Sequence, residues 1–181
     1  MFYRSLWEYI KPVHFATLSL SIMGIYFADV QFYPSGAMRI TKEVTLVNIG
    51  TNQVHHFVFK PPFPLDELDQ KDYRSSNYIH SVLGVLHWSV GIQSLAELTV
   101  ISPKSMLICN GNEKVSLLKQ LMPHVHAVIN VNVSCANMSN ENICTFPVHH
   151  KLCSHSNCMK LNKYFNSYLF LYQTVRGERK Y

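Results

Sequence analysis

Residues 24–60 read GIYFADVQFYPSGAMRITKEVTLVNIGTNQVHHFVFK, and this stretch decides the fold. Ile25 to Tyr33 is dense in aromatic and β-branched residues, the composition of a strand. Pro34-Ser35-Gly36 is a turn signal. Met38 to Val47 then alternates, with Met38, Ile40, Lys42, Val44 and Leu46 on one face and Arg39, Thr41, Glu43, Thr45 and Val47 on the other. Asn48 to Asn52 supplies a second turn. Val54 to Lys60 alternates again, Val54, His56 and Val58 against His55, Phe57 and Phe59. Three consecutive strands with short turns predict an antiparallel meander.

Pro61-Pro62-Phe63-Pro64 ends the sheet, because proline cannot donate to a ladder. The acidic stretch Asp66 to Arg74 reads as a solvated loop or short helix, and Asn77 to Leu98 has a helical period interrupted by Gly84 and Gly91. Ser105 to Cys109 is a short apolar strand. Asn110-Gly111-Asn112 makes a turn and a helix start, with Glu113 in the first turn and Val115, Leu118 and Met122 on one face. Ala127 to Val133 is a fifth strand, and a polar, cysteine-bearing loop spans about 134–157. The last helix carries Leu161, Tyr164, Phe165, Tyr168, Leu169 and Tyr172 at helical spacing. The order β-β-β-α-β-α-β-α gives an α/β domain: a meander followed by β/α units, forming one mixed five-stranded sheet with flanking helices.

A chain of 181 residues fits one domain, and 48% hydrophobic with 15% charged residues is a globular composition. We divide it into a leader (1–24), the domain proper (25–172) and a basic tail (173–181). Beginning in the leader, Val13 to Phe27 is largely apolar and follows Arg4 and Lys11, like a secretory signal. Glu8, His14, Thr17, Ser19 and Ser21 dilute it, and no small-residue cleavage site follows. An intracellular protein, nuclear or cytoplasmic, is therefore expected rather than a secreted one. No run approaches the ~20 apolar residues of a spanning helix, so stable membrane insertion is not expected. The formal charge of +5 is compatible with RNA or DNA as partner and equally with a protein.

The segment Cys109-Asn110-Gly111-Asn112-Glu113-Lys114-Val115-Ser116-Leu117-Leu118 resembles the second motif of DnaQ-like (DEDD-type) 3′–5′ exonucleases of the RNase H-like superfamily. There a strand ends in His-Asn-Ala and the following helix carries a metal-binding aspartate. Tyr26-Phe27-Ala28-Asp29-Val30-Gln31 resembles the first motif, an Asp-x-Glu on the first strand, and Cys158 to Asn162 stands where the last motif belongs. The chain is also similar in plan to the Maelstrom domain, which carries a Glu-Cys/His-His-Cys zinc motif, and to exonuclease-like reading frames of animal mobile elements.

The resemblance implies a two-metal site, and the residues at its positions argue against one. Mg²⁺ needs hard carboxylate ligands. Asp29 is kept, but Gln31 replaces the partner glutamate, Lys114 the second aspartate and Asn162 the last. After Asp72 the chain has no aspartate, and only Glu97, Glu113, Glu141 and Glu178 remain as acids. Glu113 is one position off on its helix, a turn of about 100° away. No catalytic Mg²⁺ is therefore expected. The reading is a pseudoenzyme of mobile-element or viral origin that retains nucleic-acid binding, with Lys114 turning a cation cleft into one that attracts phosphate. The alternatives are a zinc-stapled protein-interaction module and a residual metal-dependent exonuclease using Asp29 with Glu113.

Cysteines stand at 109, 135, 144, 153 and 158, an odd count that fits metal ligation better than a disulfide framework. The cluster runs from Cys144 to Cys158 and includes His149, His150, Cys153 and His155. By resemblance to the Maelstrom motif, Glu43, Cys144, His149 and Cys158 would hold a structural zinc. The spacing Cys-x4-His-x8-Cys departs from the tighter family pattern, so His150, Cys153 and His155 stand as alternate ligands. His55, His56, His124 and His126 read as surface or satisfied core histidines.

Overall fold

The turn at Pro34-Ser35-Gly36 closes a hairpin whose loop is only Gly36-Ala37, since Ser35 already pairs with Met38. Gly36 takes φ of 59°, which a two-residue hairpin loop demands of its first residue. In the computed structural model, which describes residues 24–133 and 153–177, this hairpin forms the middle of a five-stranded sheet. β1 (Ile25–Ser35), β2 (Met38–Asn48) and β3 (Val54–Val58) make the antiparallel meander. β4 (Met106–Cys109) and β5 (Ala127–Asn130) extend it in parallel on the other side of β1. The spatial order is β3-β2-β1-β4-β5, which places β1 at the centre.

Among the described residues three α-helices flank the sheet: α1 (Gln70–Leu83), α2 (Asn112–Leu121) and α3 (Ser154–Gly177). The strand period of two sorts the core into two faces. Ala28, Val30, Val44, Leu46, Phe57, Leu107 and Cys109 pack with Leu117 and Leu118 of α2 and with Met122 just beyond it. On the opposite face Phe27, Val47 and Ile108 pack with Cys158, Leu161 and Phe165 of α3. Both sheet faces are covered, as parallel strands at the centre of an α/β sheet require.

The helix read over Asn77 to Leu98 begins earlier and stops sooner. Asp69 accepts a hydrogen bond from the Asp72 amide at 2.8 Å and caps α1, so the acidic stretch supplies its first turns. Gly84, at φ of 71°, ends the helix in the left-handed conformation. The chain beyond it runs along the outer edge of the meander. Ile92 and Gln93 donate to the Val58 carbonyl, Gln93 accepts from Lys60, and the Gln93 side chain takes the Val58 amide at 2.6 Å. Gly91 lies so close to the Phe59 carbonyl that a Cβ would sit 2.3 Å from its oxygen. This segment therefore shields the end of an edge strand. The strand read over Ala127 to Val133 ends at Asn130, and Asn132 turns out of it with φ of 44°.

One departure from regular alternation matters. The β1–β2 register shifts after Gln31, so that Gln31 pairs with Glu43 and Phe32 with Thr41, and Lys42 is the extra residue of a bulge. Lys42 is fully buried, and its ammonium donates to the carbonyls of Phe59, Trp88 and Val90. Burial pushes this ammonium down to about 8, against the pull of the neighbouring Glu43 carboxylate. Three backbone carbonyls thus converge on one side chain, fastening the segment after α1 to the sheet.

Lys42→Met keeps the bulk and removes the donors. It is expected to lower stability by about 1–3 kcal/mol and to speed amide exchange across residues 85–93, both measured by denaturant titration with hydrogen exchange. Unchanged exchange there would refute the clamp.

Candidate functional site

Alternation along β1 points Phe27 and Asp29 toward α3 while Ala28 and Val30 face α2. Asp29 lies just past the last β1–β4 pair, Phe27 with Ile108, at the carboxyl end of β4. In open α/β sheets this is where ligand crevices form. The carboxylate is only 2% exposed. It receives the Lys114 ammonium from the first turn of α2. Its other oxygen accepts from the Gln31 amide at 3.1 Å and the Asn157 amide at 2.9 Å. Burial works against the Lys114 ammonium, but the Asp29 carboxylate outweighs it, by charge and hydrogen bond, and holds the lysine above its ordinary value.

The structure thus brings together three of the four positions read from the motifs, Asp29, Gln31 and Lys114. It places Asn162 elsewhere: its amide donates to Asn52 at the β2–β3 turn, and its carbonyl accepts from Asn166. Asn157, five residues earlier and about 7.5 Å back along the helix, takes the place beside Asp29. The signal was present in the sequence. Leu161 and Phe165 set the sheet-facing stripe, and one turn back along it lies Asn157. Glu113 points away, accepting from Arg39 at 2.7 Å on the exposed side of α2.

A second buried polar group adjoins the first. Glu43 is 0% exposed, and its Oε1 accepts from the Ser154 amide at 2.9 Å and the Ser154 hydroxyl at 2.6 Å. The His155 amide adds a further hydrogen bond. Thr45 bridges the Ser154 hydroxyl at 2.6 Å and His56 Nδ1 at 2.8 Å, and the His56 and His155 rings meet edge-on at 6.2 Å. Glu43 therefore does the work of a capping carboxylate for α3, supplied by another strand. Burial pushes its carboxyl up to about 7, with Asp29 adding to the rise and the Ser154 hydrogen bonds opposing it.

The expected zinc ligands divide. Cys144, His149 and the alternate His150 lie outside the described residues. Glu43 is engaged with α3. Cys158 is completely buried, and its thiol donates weakly to the Phe27 and Thr45 carbonyls at 3.6 and 3.4 Å. Burial, with the charge of Asp29, holds that thiol well above its ordinary pKa. Cys153 accepts from the Ser156 amide at 3.2 Å at the start of α3, and burial lowers the pKa of His155. Among the described residues, no three His, Cys, Asp or Glu side chains gather in a group that could hold a metal ion. Among them, too, no helix is long and apolar enough to cross a membrane.

The chain matches no protein-family model, no curated protein and no solved structure.

The Glu43 carboxyl gives a pH dependence of definite sign. The folded chain keeps its proton up to about pH 7, whereas an ordinary carboxyl releases it near 4.5. The corresponding stability is fully present below pH 4.5 and is lost as pH rises through 7. Glu43→Gln retains an acceptor for Ser154 and does not titrate. The stability of the native chain relative to this variant is expected to fall by about 2–3 kcal/mol between those limits, read by denaturant titration at each pH. A constant difference would show that the carboxyl is not desolvated.

Proposed function

We propose that this chain is a non-hydrolytic protein of the RNase H-like, exonuclease-type fold that acts by binding. The element order, a meander followed by β/α units in a mixed five-stranded sheet, supports the fold reading. The meeting of Asp29, Gln31 and Lys114 at the carboxyl end of β4 supports the motif reading. The observation that carries the functional part is the ion pair itself. Where a two-metal nuclease needs several carboxylates to hold divalent cations, here Asp29 has a tethered ammonium already on it and the adjoining Glu43 is taken by the start of α3.

The same ion pair bears on the partner. Lys114 is neutralised by Asp29, and nearby Arg39 by Glu113, so neither lends its full charge to a phosphate. RNA or DNA binding then rests on the remaining positive charge of the chain, which carries +5 in all. A protein partner is favoured by a different observation: Tyr78 and Val82, one turn apart on α1, are 58% and 60% exposed.

The chain is expected to show no chelator-sensitive cleavage of single- or double-stranded nucleic acid in Mg²⁺ or Mn²⁺. Lys114→Gln should destabilise the fold by about 3 kcal/mol, because it strands a buried carboxylate, and adding Asp29→Asn should recover most of that loss. Robust cleavage abolished by Asp29→Ala would overturn the reading. For the partner, nucleic-acid binding should weaken steeply between about 50 and 200 mM salt in a gel-shift titration. Absence of binding at low salt would favour the protein-interaction reading.

A further inference from the structure

The two edges of the sheet differ. At the β3 edge, Ile92 and Gln93 cover Val58, and Gly91 lies against Phe59. The other edge is β5, the last strand in the spatial order. Its hydrogen-bond phase follows from its neighbours. The Met106 amide donates to the Gly24 carbonyl, so Met106 and Ile108 turn their backbone groups to β1, and Leu107 and Cys109 turn theirs to β5. The Val131 amide meets the Cys109 carbonyl at 3.0 Å, which sets Ala127, Ile129 and Val131 inward against β4. Val128 and Asn130 therefore turn their amides and carbonyls outward. Among the described residues no group hydrogen-bonds to these outward positions. The Asn130 side chain is occupied elsewhere, accepting from the Gly111 and Asn132 amides and donating to Asn112.

Edge strands are commonly blunted by charge, by proline, by a bulge or by a covering segment. Residues 127–133 read AVINVNV, with neither a charge nor a proline, and β5 pairs with β4 in one unbroken register. Only another extended chain offers amides and carbonyls at the matching spacing. The phase of β5 favours its own copy. Val128 and Asn130 stand symmetrically about Ile129, so two copies laid antiparallel about a twofold axis at Ile129 set Val128 opposite the partner's Asn130, and Asn130 opposite the partner's Val128. Each of those pairs exchanges both of its hydrogen bonds, so donors and acceptors match throughout. Ile129 then meets the partner's Ile129 as a close, β-branched pair that favours strand pairing, on the face that carries Val131 and Val133. The strand is uncharged, so it sets no charge against its own like across the axis.

We propose that the β5 edge is an interface with a second copy of this chain, the two sheets joining antiparallel through Val128 and Asn130 into one. One short strand from each copy makes a smaller contact than a permanent dimer needs, so the association depends on concentration.

The experiment is sedimentation of the full, reduced chain from about 1 µM to about 1 mM, with amide exchange read at both ends of the range. The chain should pass from monomer to dimer. The Val128 and Asn130 amides should gain protection with concentration, while those of Ile129 and Val131 stay protected throughout. Ile129→Lys and Ile129→Glu each set like charges on the axis and should weaken the dimer by about tenfold or more. An equal mixture of the two should restore it, which misfolded variants could not do. A native chain that stays monomeric at the highest concentration overturns the proposal. So does full protection of Val128 and Asn130 at the lowest concentration, which would mean that the chain covers its own edge. A dimer undiminished in both variants overturns it as well.

Discussion

A carboxylate buried on the central strand of a sheet must be neutralised and hydrogen-bonded, because an isolated ion in a medium of low dielectric costs many kcal/mol. Asp29 is such a group, and three elements answer it. Lys114 brings a charge from α2, Asn157 an amide from α3, and Gln31 an amide from the same face of β1. The two helices lie on opposite faces of the sheet, yet both end on the same two oxygens. Their registers against β1 are therefore coupled through one side chain.

That coupling explains the seating of α3. Once Asn157 is placed beside Asp29, the next residue, Cys158, falls between the Phe27 and Thr45 carbonyls, and Leu161 and Phe165 follow against Phe27. Glu43 then accepts from the first amides of the helix. Apolar contact supplies the bulk of the stabilisation on this face, and directional polar contacts restrict which helical residue sits where. Two carboxylates on adjacent strands lie near the positive end of the same helix, where the macrodipole favours negative charge. Burial raises the carboxyl of Glu43, and repulsion from Asp29 adds to the rise.

The functional consequence is chemical. A site able to bind divalent cations must offer oxygen lone pairs that are not already committed to fixed donors. Here Asp29 has a lysine on one oxygen and two amides on the other, and Glu43 is committed to a helix start. Both acids serve as parts of the fold. What the molecule still offers outward is of a different kind: an exposed face on α1.

The strand elements were legible in the sequence because a strand states its own period. Residues 24–60 alternate, turn at Gly36 and turn again after Asn48, and those local rules hold wherever the chain lies. Asp29, Gln31 and Lys114 were legible as a group through short motifs next to strand ends. The end of α1 was not, because a helical period continues past Gly84, and only the open edge of β3 gives residues 91–93 a better place to hydrogen-bond. Asn157 was missed in favour of Asn162, since the sequence gives the helical stripe but not the point at which it meets β1. Nor did it reveal that Glu43 caps α3 or that Lys42 bulges out of register to hold three carbonyls. Sequence alone determined the period, the turns and the lack of aspartate after Asp72. Tertiary structure alone decided the partner of each buried charge, because a buried charge is matched through space by whatever long-range packing brings to it.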